Sequence, residues 1–315
     1  MTAQIFRFKK ATLFIPVIFV FSLLFACSQP DPEPLKLDRI AYVSEGIVHV
    51  AGLNDGTHTE VGRGAEPSLS FDGRYLAYVN DVGNKRRIAV LDFPNRNTTI
   101  IEDVQGTSWG PVWSPTENRF LFSATAQNNG SSHRVVIVAH AREDKKYVIA
   151  REGINIYSPA WASDGETVYG HDTHFLYQWE KTGMLTSHAI LTEKFGALDY
   201  NSSTKILPSA DGNQWLIGIG AEEPSNRPRK TTFSVYLFDA SAQQLHKVSP
   251  DNVFISDFTW SSDQQGVMFS GKESRNQRQN DLYLLLLADG STHRIIKNAM
   301  QPSCRAIEVA QAQQK

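Results

Sequence analysis

Apolar residues alternate with polar ones over short segments of this chain, and turn-forming residues separate the segments. Phe233, Val235 and Leu237 form one such alternating run. A period of two is typical of strands, whereas no long stretch has the 3.6-residue period of a helix. At turns such as Asp72-Gly73, the aspartate bonds backbone amides while the glycine adopts positive φ. The pattern predicts an antiparallel, all-β protein.

A longer repeat is superimposed on this alternation. It reads PSLSFDGRYLAYV from Pro67, PVWSPTENRFLFSA from Pro111 and PAWASDGETVYG from Pro159, with weaker copies from Leu207 and Phe258. Its turn positions are spaced 44, 48, 47 and 52 residues apart, at Asp72, Thr116, Asp164, Asp211 and Asp263. A period of roughly 40–50 residues with several short strands in each unit is typical of propeller blades.

The two ends of the repeat region predict how the ring closes. Three strands, at 39–43, 47–51 and 57–61, precede the first full repeat and lack an innermost partner. The opening of the repeat, Glu66 to Leu69, returns at Gln301 to Cys304. We therefore predict a six-bladed β-propeller over residues 39–309, closed by a C-terminal strand of about 303–309 that completes the first blade, with a tail at 310–315.

The N-terminal residues predict a targeting segment. Three basic residues precede an apolar run of about 14 residues, which is short for a membrane span. The run ends in Leu24-Phe25-Ala26-Cys27, which resembles a bacterial lipobox and implies a signal peptide at 1–26, lipid on Cys27 and, with Ser28 next, the outer membrane. Residues 28–38 are Pro-rich and acidic, as suits a spacer. The alternatives are an ordinary signal peptide or a retained anchor.

Charge and cysteine content limit the kinds of partner and of crosslink that the sequence predicts. The formal net charge of −2 becomes −5 without residues 1–26, so nucleic-acid binding is not predicted. Besides Cys27 the only cysteine is Cys304, so no intramolecular disulfide is expected. In the register of the repeat, Cys304 occupies the position of Trp113 and Trp161, which predicts a buried, unreactive thiol.

The repeat resembles that of TolB-type β-propellers, whose blades carry a Pro-x-Trp-Ser-Pro-Asp-Gly-like core. Trp113-Ser114-Pro115 and the segment from Trp161 to Gly165 are the matching stretches, and the resemblance covers about residues 39–309. TolB itself carries an α/β domain before its propeller and is not lipidated, whereas 11 residues separate Cys27 from the first strand here. The resemblance specifies the fold far better than the function, and it fixes no place in the Tol–Pal system.

Three short motifs could carry chemistry, and none predicts an active site. Gly106 to Gly110 matches G-x-S-x-G, but a strand rather than a helix follows it. Ser202 to Lys205 matches S-x-x-K, again before a strand. His171-Asp172-Thr173-His174 offers three metal ligands in four residues, yet in a tight hairpin their side chains diverge, so a solvated turn is expected. We predict no catalytic residue, no metal and no cofactor.

Basic residues recur in the links between the second and third strands, at the end of the molecule where the loops between blades also open. Acidic residues collect at the opposite end. Arginine beside aromatic residues is typical of binding hot spots, while exposed hairpins are also simply polar and aromatic residues also pack between blades. The candidate partner-binding residues are Arg86, Arg87, Trp109, Tyr157, Arg227, Arg229, Lys230, Lys272, Arg275 and Arg278.

The sequence therefore predicts a non-catalytic, monomeric envelope lipoprotein that binds a periplasmic or outer-membrane protein on one propeller face, from an outer-membrane anchor facing the periplasm. A binder of an anionic cell-wall or surface polymer is one alternative. A carbohydrate lyase or hydrolase with its site in the axial channel is another, and a surface lipoprotein that captures a ligand outside the cell is a third.

Overall fold

A computed structural model describes residues 39–304, except for residues 54, 83–84, 103, 105, 129, 144, 150–152 and 223–230. The described residues are nearly all β, with 24 strands and one short helix. None of the helical residues among them forms a segment long and apolar enough to cross a membrane. The prediction of an antiparallel all-β protein is confirmed.

The strands follow one another as antiparallel hairpins. The first twelve are β1 (Arg39–Ser44), β2 (Ile47–Gly52), β3 (His58–Arg63), β4 (Ala65–Leu69), β5 (Tyr75–Val82), β6 (Lys85–Asp92), β7 (Asn97–Ile100), β8 (Ser108–Trp113), β9 (Arg119–Asn128), β10 (Ser131–His140), β11 (Lys146–Ile149) and β12 (Tyr157–Trp161). The others are β13 (Thr167–His171), β14 (Phe175–Glu180), β15 (Leu185–Ile190), β16 (Lys205–Pro208), β17 (Gln214–Glu222), β18 (Thr231–Asp239), β19 (Gln244–Lys247), β20 (Phe254–Trp260), β21 (Gly266–Lys272), β22 (Asp281–Leu286), β23 (Thr292–Ile296) and β24 (Met300–Cys304).

Four of the sheets have four strands each, in the orders β24-β1-β2-β3, β4 to β7, β8 to β11 and β12 to β15. The remaining strands form an eight-stranded sheet, in which β16–β19 and β20–β23 each repeat the same four-strand order. The strand pairing between these two sets is limited to one residue pair among the described residues, Phe233 with Ile255. Every four-strand set thus has the plan of a propeller blade.

The strand that opens each set also contacts the neighbouring sets. We call β24, β4, β8, β12, β16 and β20 the first strands. They contact one another in a closed cycle. Between β16 and β20 the contact includes an ion pair from Lys205 Nζ to Asp257 Oδ1 at 2.7 Å and a hydrogen bond from Trp260 Nε1 to Leu207 O at 3.1 Å.

Pairing of β24 with β1 closes this cycle. Ile40 lies opposite Cys304 and Ala41 opposite Ser303, so the C-terminal strand completes the N-terminal sheet as predicted. The strand starts three residues earlier than expected, and residues 305–315 lie outside the described part of the chain. Cys304 is partly exposed rather than fully buried. Burial of the thiol nevertheless raises its pKa to about 12, so it remains protonated at neutral pH.

The core lies between neighbouring sheets. In β9, Phe120 and Phe122 belong to the cluster shared with the sheet of β4 to β7, while Leu121 belongs to the cluster on the other side. All three are fully buried. Sheets covered on both faces select continuous apolar strands, which is why the second strand of each repeat does not alternate.

One element was not predicted. Helix α1 (Leu191–Phe195) follows β15 and buries Leu191 and Phe195 against the cluster that contains Trp215. Five residues are too few to show a helical period in the sequence, so tertiary packing alone defines this helix.

Candidate partner-binding face

Each first strand has two different ends. At the turn face, as we call one end of the molecule, a tight turn joins it to the second strand of its set, except in the set of β24 and β1, which are not consecutive in the chain. At the loop face, the opposite end, the first strand begins and the second strand turns into the third. The predicted partner-binding residues that the structure describes belong to the loop face. Arg227, Arg229 and Lys230 are among residues 223–230, outside the described part of the chain, as is Cys27.

The hairpin between β21 and β22 borders a pocket of about 530 Å³. We call this the basic pocket; Lys272, Arg275 and Arg278 line one side of it. Phe254, Asn280 and the exposed side chain of Met300 are also in its wall. Glu45 also lines the pocket, so one carboxylate lies among its three cations. A cavity with an excess of cationic groups and apolar wall residues is suited to an amphipathic anionic ligand.

The three cations of the basic pocket differ in how they are used. Lys272 Nζ donates to the carbonyl oxygens of Gln277 and Arg278, at 2.8 and 3.0 Å, and so stabilises its own hairpin. The Arg275 guanidinium lies 5.2 Å from the ring centroid of Phe254. Arg275 and Arg278 are both exposed. The two arginines are therefore the exposed cations of this group.

A second group lies on the sheets of β8 to β11 and β12 to β15. The Arg134 guanidinium carbon is 4.6 Å from the ring centroid of Trp109 on β8 and 4.9 Å from that of Tyr157 on β12. We call these three residues the arginine clamp. All three are half-buried, and burial lowers the pKa of Arg134. Each cation–π contact is worth about 0.5–2 kcal/mol, depending on desolvation.

Glu66 organises the surface beside the clamp. Its Oε1 accepts from Arg86 at 2.6 Å, and its Oε2 accepts from the backbone N–H of Gly110 at 2.6 Å. Both carboxylate oxygens of Glu66 are thus engaged. Arg86 accordingly has a counter-ion within the chain, which reduces its availability to a partner.

Arg87 does not belong to the binding surface. It is 9% exposed, and its guanidinium donates to the carbonyl oxygens of Arg86 and Gly106. Its place on β6, one residue after Arg86, turns the side chain inward, because successive strand residues point to opposite faces. The assignment of Arg87 to partner binding is therefore corrected: its role is structural.

The residue before the repeat's proline has a recurring role at this end. Glu66, Ser158 and Gln301 have φ of 52, 48 and 54°, and Gly110 has 62°. Each of the three side chains accepts a hydrogen bond from a backbone N–H of the next first strand, from Gly110 to Glu66, from Ile206 to Ser158 and from Glu66 to Gln301. These left-handed residues thereby link neighbouring sheets around the loop face.

His171 is not part of a solvated turn, contrary to the sequence-based expectation. It is fully buried; its Nε2 lies 3.0 Å from Thr204 O, and the backbone N–H of Thr173 donates to its Nδ1 at 3.2 Å. Burial lowers its pKa to about 4. The neutral Nε2–H tautomer satisfies both contacts and joins the sheet of β12 to β15 to the start of β16.

The serine and the lysine of the other two motifs lie in different surroundings. Ser108 is buried at the start of β8, and its hydroxyl has no hydrogen-bond partner among the described residues. Lys205 of the S-x-x-K motif is paired with Asp257 rather than with a serine. Among the residues described, no three His, Cys, Asp or Glu side chains are grouped to hold a metal ion.

The turn-face carboxylates stabilise the turns in which they lie. Asp211 and Asp263 accept from the hydroxyls of Ser209 and Ser261, two residues earlier, at 2.5 Å. The hydrogen bond from Ser209 lowers the pKa of Asp211. This face also holds paired cations, such as Lys181 with Glu117. The predicted separation of charge is therefore incomplete, because both ends mix signs.

Arg134 is not among the partner-binding residues that the sequence predicts. Its contacts with Trp109 and Tyr157 depend on two sheets packing together. The available signal was weak: an arginine followed by the apolar run from Val135 to Val138 on a strand that the repeat predicts.

Comparisons with known proteins place the fold. No protein-family model and no curated protein matches the chain. Among solved structures, TolB from Acinetobacter baumannii superposes with a TM-score of 0.65 at 18% identity over 85% of this chain. The match spans 66% of that protein, slightly under two thirds of its length. The chain has a TolB-like β-propeller fold.

Other solved structures with this fold differ in activity. A structure of a nidogen/laminin complex matches with a TM-score of 0.60 at 10% identity, over 85% of this chain and 98% of that one. The tricorn protease matches with a TM-score of 0.58 at 13% identity, over 86% of this chain and 30% of that one. One is part of a protein complex and another is a protease. The fold alone therefore does not define the function, which depends on the residues at the surface.

Proposed function

We propose that this protein is a non-catalytic lipoprotein of the bacterial envelope that uses the loop face of its propeller to hold a protein partner. One observation carries the proposal: the exposed Arg275 and Arg278 border a 530 Å³ pocket at the same end of the molecule as the half-buried Trp109 and Tyr157. Arginine and large aromatic side chains are the residues that dominate protein interfaces.

The proposal includes the finer architecture. The ring has six blades, with the eight-stranded sheet counted as two, and it extends over residues 39–309. Residues 1–26 are a signal peptide, Cys27 carries lipid, and residues 28–38 are a spacer. The protein is a monomer without a cofactor, anchored in the outer membrane and facing the periplasm. The lipobox-like residues support the anchor, and the closed cycle of first strands supports the blade count.

Site-specific crosslinking in cells tests the binding face. A photo-crosslinking amino acid replaces Arg275 or Arg278 in the full chain, and Arg96, an exposed turn-face residue, gives the matched control position. We expect a protein adduct of defined mass from the loop-face positions only. Adducts from all positions alike, or from none, would contradict a specific loop-face partner.

Charge reversal gives the second arm of the test. Arg275→Glu with Arg278→Glu should reduce capture of the crosslinked partner at least tenfold, because it replaces attraction with repulsion at the rim. Arg96→Glu with Lys145→Glu changes the net charge equally on the turn face and should leave capture unchanged. Equal losses in both pairs would indicate a general charge effect. Binding of an anionic polymer instead of a protein would give high-mass, protease-resistant adducts.

For the anchor, Cys27→Ala should abolish palmitate labelling and release the protein from the membrane fraction. Retained label on the Cys27→Ala variant would refute lipidation at this residue.

A further inference from the structure

Arg134 is held in a conformation that favours recognition of an anion. Its guanidinium lies over two aromatic rings that belong to neighbouring sheets, at 4.6 and 4.9 Å. Such stacking contacts the faces of the guanidinium, while its N–H donors point outward in its plane. Because the clamp holds the side chain in place before binding, little rotamer entropy is lost when a ligand docks.

Arg134 makes no ion pair among the described residues, although the charge of Glu66 partly offsets the effect of burial on the Arg134 pKa. Among the described residues, no carboxylate is within ion-pair distance of its guanidinium, and none of its nitrogens is both buried and unpartnered. The N–H groups therefore reach solvent. The acidic group on the neighbouring surface, Glu66, is already engaged by Arg86 and by the backbone of Gly110.

The other cations of this region interact with acceptors within the chain. Arg86 has Glu66, Arg87 donates to two carbonyl oxygens, and Lys205 has Asp257. A half-buried arginine that stacks on two rings and has open N–H groups is thus distinct from its neighbours. In hot spots, charges that a partner desolvates contribute more than charges at an exposed rim.

We propose that the arginine clamp is a carboxylate-binding site, at which Arg134 receives an acidic side chain or a C-terminal carboxylate of a partner protein. A carboxylate matches the guanidinium fork with two parallel N–H···O bonds. Trp109 and Tyr157 offer apolar contact to the residue that bears the carboxylate. The inference rests on the proposed function, since it names the group that the loop face recognises.

Titration of the full chain with short peptides tests the site. The first pair is acetyl-Gly-Leu-Glu-Leu-Gly-amide and its Gln counterpart, and the second is acetyl-Gly-Leu-Gly-Leu with a free carboxylate or an amide end. Inorganic phosphate is a fifth probe. The readout is the Arg134 Nε–Hε NMR signal, assigned by its loss in Arg134→Lys, together with the dissociation constant from calorimetry.

A carboxylate site predicts that the acid member of at least one pair binds at least tenfold more tightly than its neutral counterpart and shifts the Arg134 signal. The pair that responds identifies a side chain or a chain end as the source. Arg134→Lys, which keeps the charge but loses the fork, should weaken binding at least fivefold, and Arg134→Gln more. Arg96→Gln should have no effect.

Three results would overturn the inference: equal binding of acid and neutral peptides, acid binding that survives Arg134→Gln, or a response to phosphate alone. Its failure is distinguishable from failure of the proposed function. If crosslinking at Arg275 and Arg278 succeeds while the peptides do not bind at Arg134, the clamp is structural and the scaffold stands. If the peptides bind at Arg134 but no crosslinked partner exists, the scaffold fails.

Discussion

The two ends of the first strands use similar residues for different purposes. At the turn face, Trp113, Trp161 and Trp260 are nearly buried, and each indole N–H donates to a carbonyl oxygen of the preceding first strand. At the loop face, Trp109 is half-buried and lies against Arg134 instead. Tryptophan at one end therefore joins sheets, whereas at the other end it shapes a surface.

Two turn-face aspartates and three loop-face arginines show the same difference. Turn-face aspartates such as Asp211 and Asp263 accept hydrogen bonds from serines within their own turns. On the loop face, Arg275 and Arg278 are exposed, and Arg134 has no described counter-ion. Polar groups satisfied within the chain stabilise the fold, while groups left open are available to a partner.

The largest expected contrast is between the two kinds of tryptophan. Trp260→Ala should lower the free energy of unfolding by about 3–5 kcal/mol, because it removes a buried indole and leaves Leu207 O without its donor. Trp109→Ala should cost only about 1–2 kcal/mol, because the ring is half-exposed. Chemical denaturation measures both, and equal losses would show that Trp109 is a core residue like the others.

His171 is a loop-face residue that stabilises the fold, and the pH dependence of the free energy of unfolding tests this role. The unfolded chain protonates this histidine below its ordinary pKa of about 6.5, whereas the folded protein does so only near pH 4. Proton binding between these values favours the unfolded state, so stability falls as the pH is lowered.

The measurement is the free energy of unfolding of the parent and of His171→Gln as a function of pH. Between pH 6.5 and 4 the parent should lose about 3 kcal/mol more than the variant, since one pKa unit is about 1.4 kcal/mol. Above pH 7 the two curves should run parallel. Parallel curves throughout would mean that His171 is hydrated in the folded protein.

A serine of the turn face gives the next effect. Ser261 is buried, donates to Asp263 and accepts from the backbone N–H of Gly266. Ser261→Ala should cost about 1–3 kcal/mol, because it leaves both partners unsatisfied. Ser241→Ala is the control, since that serine makes a similar bond to Asp239 in an exposed turn and should cost less than about 0.5 kcal/mol. Equal costs would remove burial as the deciding factor.

The smallest effect concerns the loop-face ion pair. Arg86→Gln should lower the free energy of unfolding by at most about 1 kcal/mol, because the pair with Glu66 is partly exposed. Arg278→Gln, at a residue with no ion pair among the described residues, should change it by less than about 0.5 kcal/mol. A cost above 2 kcal/mol for either variant would indicate a structural role.

The repeat made most of the fold predictable, since Pro67, Pro111 and Pro159 mark first strands and the motif's return at Pro302 indicates closure. Residue chemistry within a local segment also predicted the aspartate turns. The clamp could not be predicted in this way, because Arg134 is two strands from Trp109 in its own sheet and meets Tyr157 only across sheets.

The burial of individual polar side chains also could not be predicted from the sequence. Arg87 and His171 are polar residues beside hairpins, for which exposure is the usual expectation. Their carbonyl partners, on Gly106 and Thr204, belong to the next sheet. Only the packing of neighbouring sheets creates these acceptors, so no local pattern reports them.

Pairing of β1 with β24 has a consequence for the order of folding. The partner of Ile40 is Cys304, so the N-terminal sheet keeps an open edge until nearly the whole repeat region has been synthesised. Closing so long a loop is entropically costly and slow. The pairing of β1 with β24 stabilises the protein only when every intervening sheet has formed. A nascent or truncated chain therefore has unpaired strand edges at both ends of its repeat region. A chaperone would bind these edges, which are covered once β1 pairs with β24.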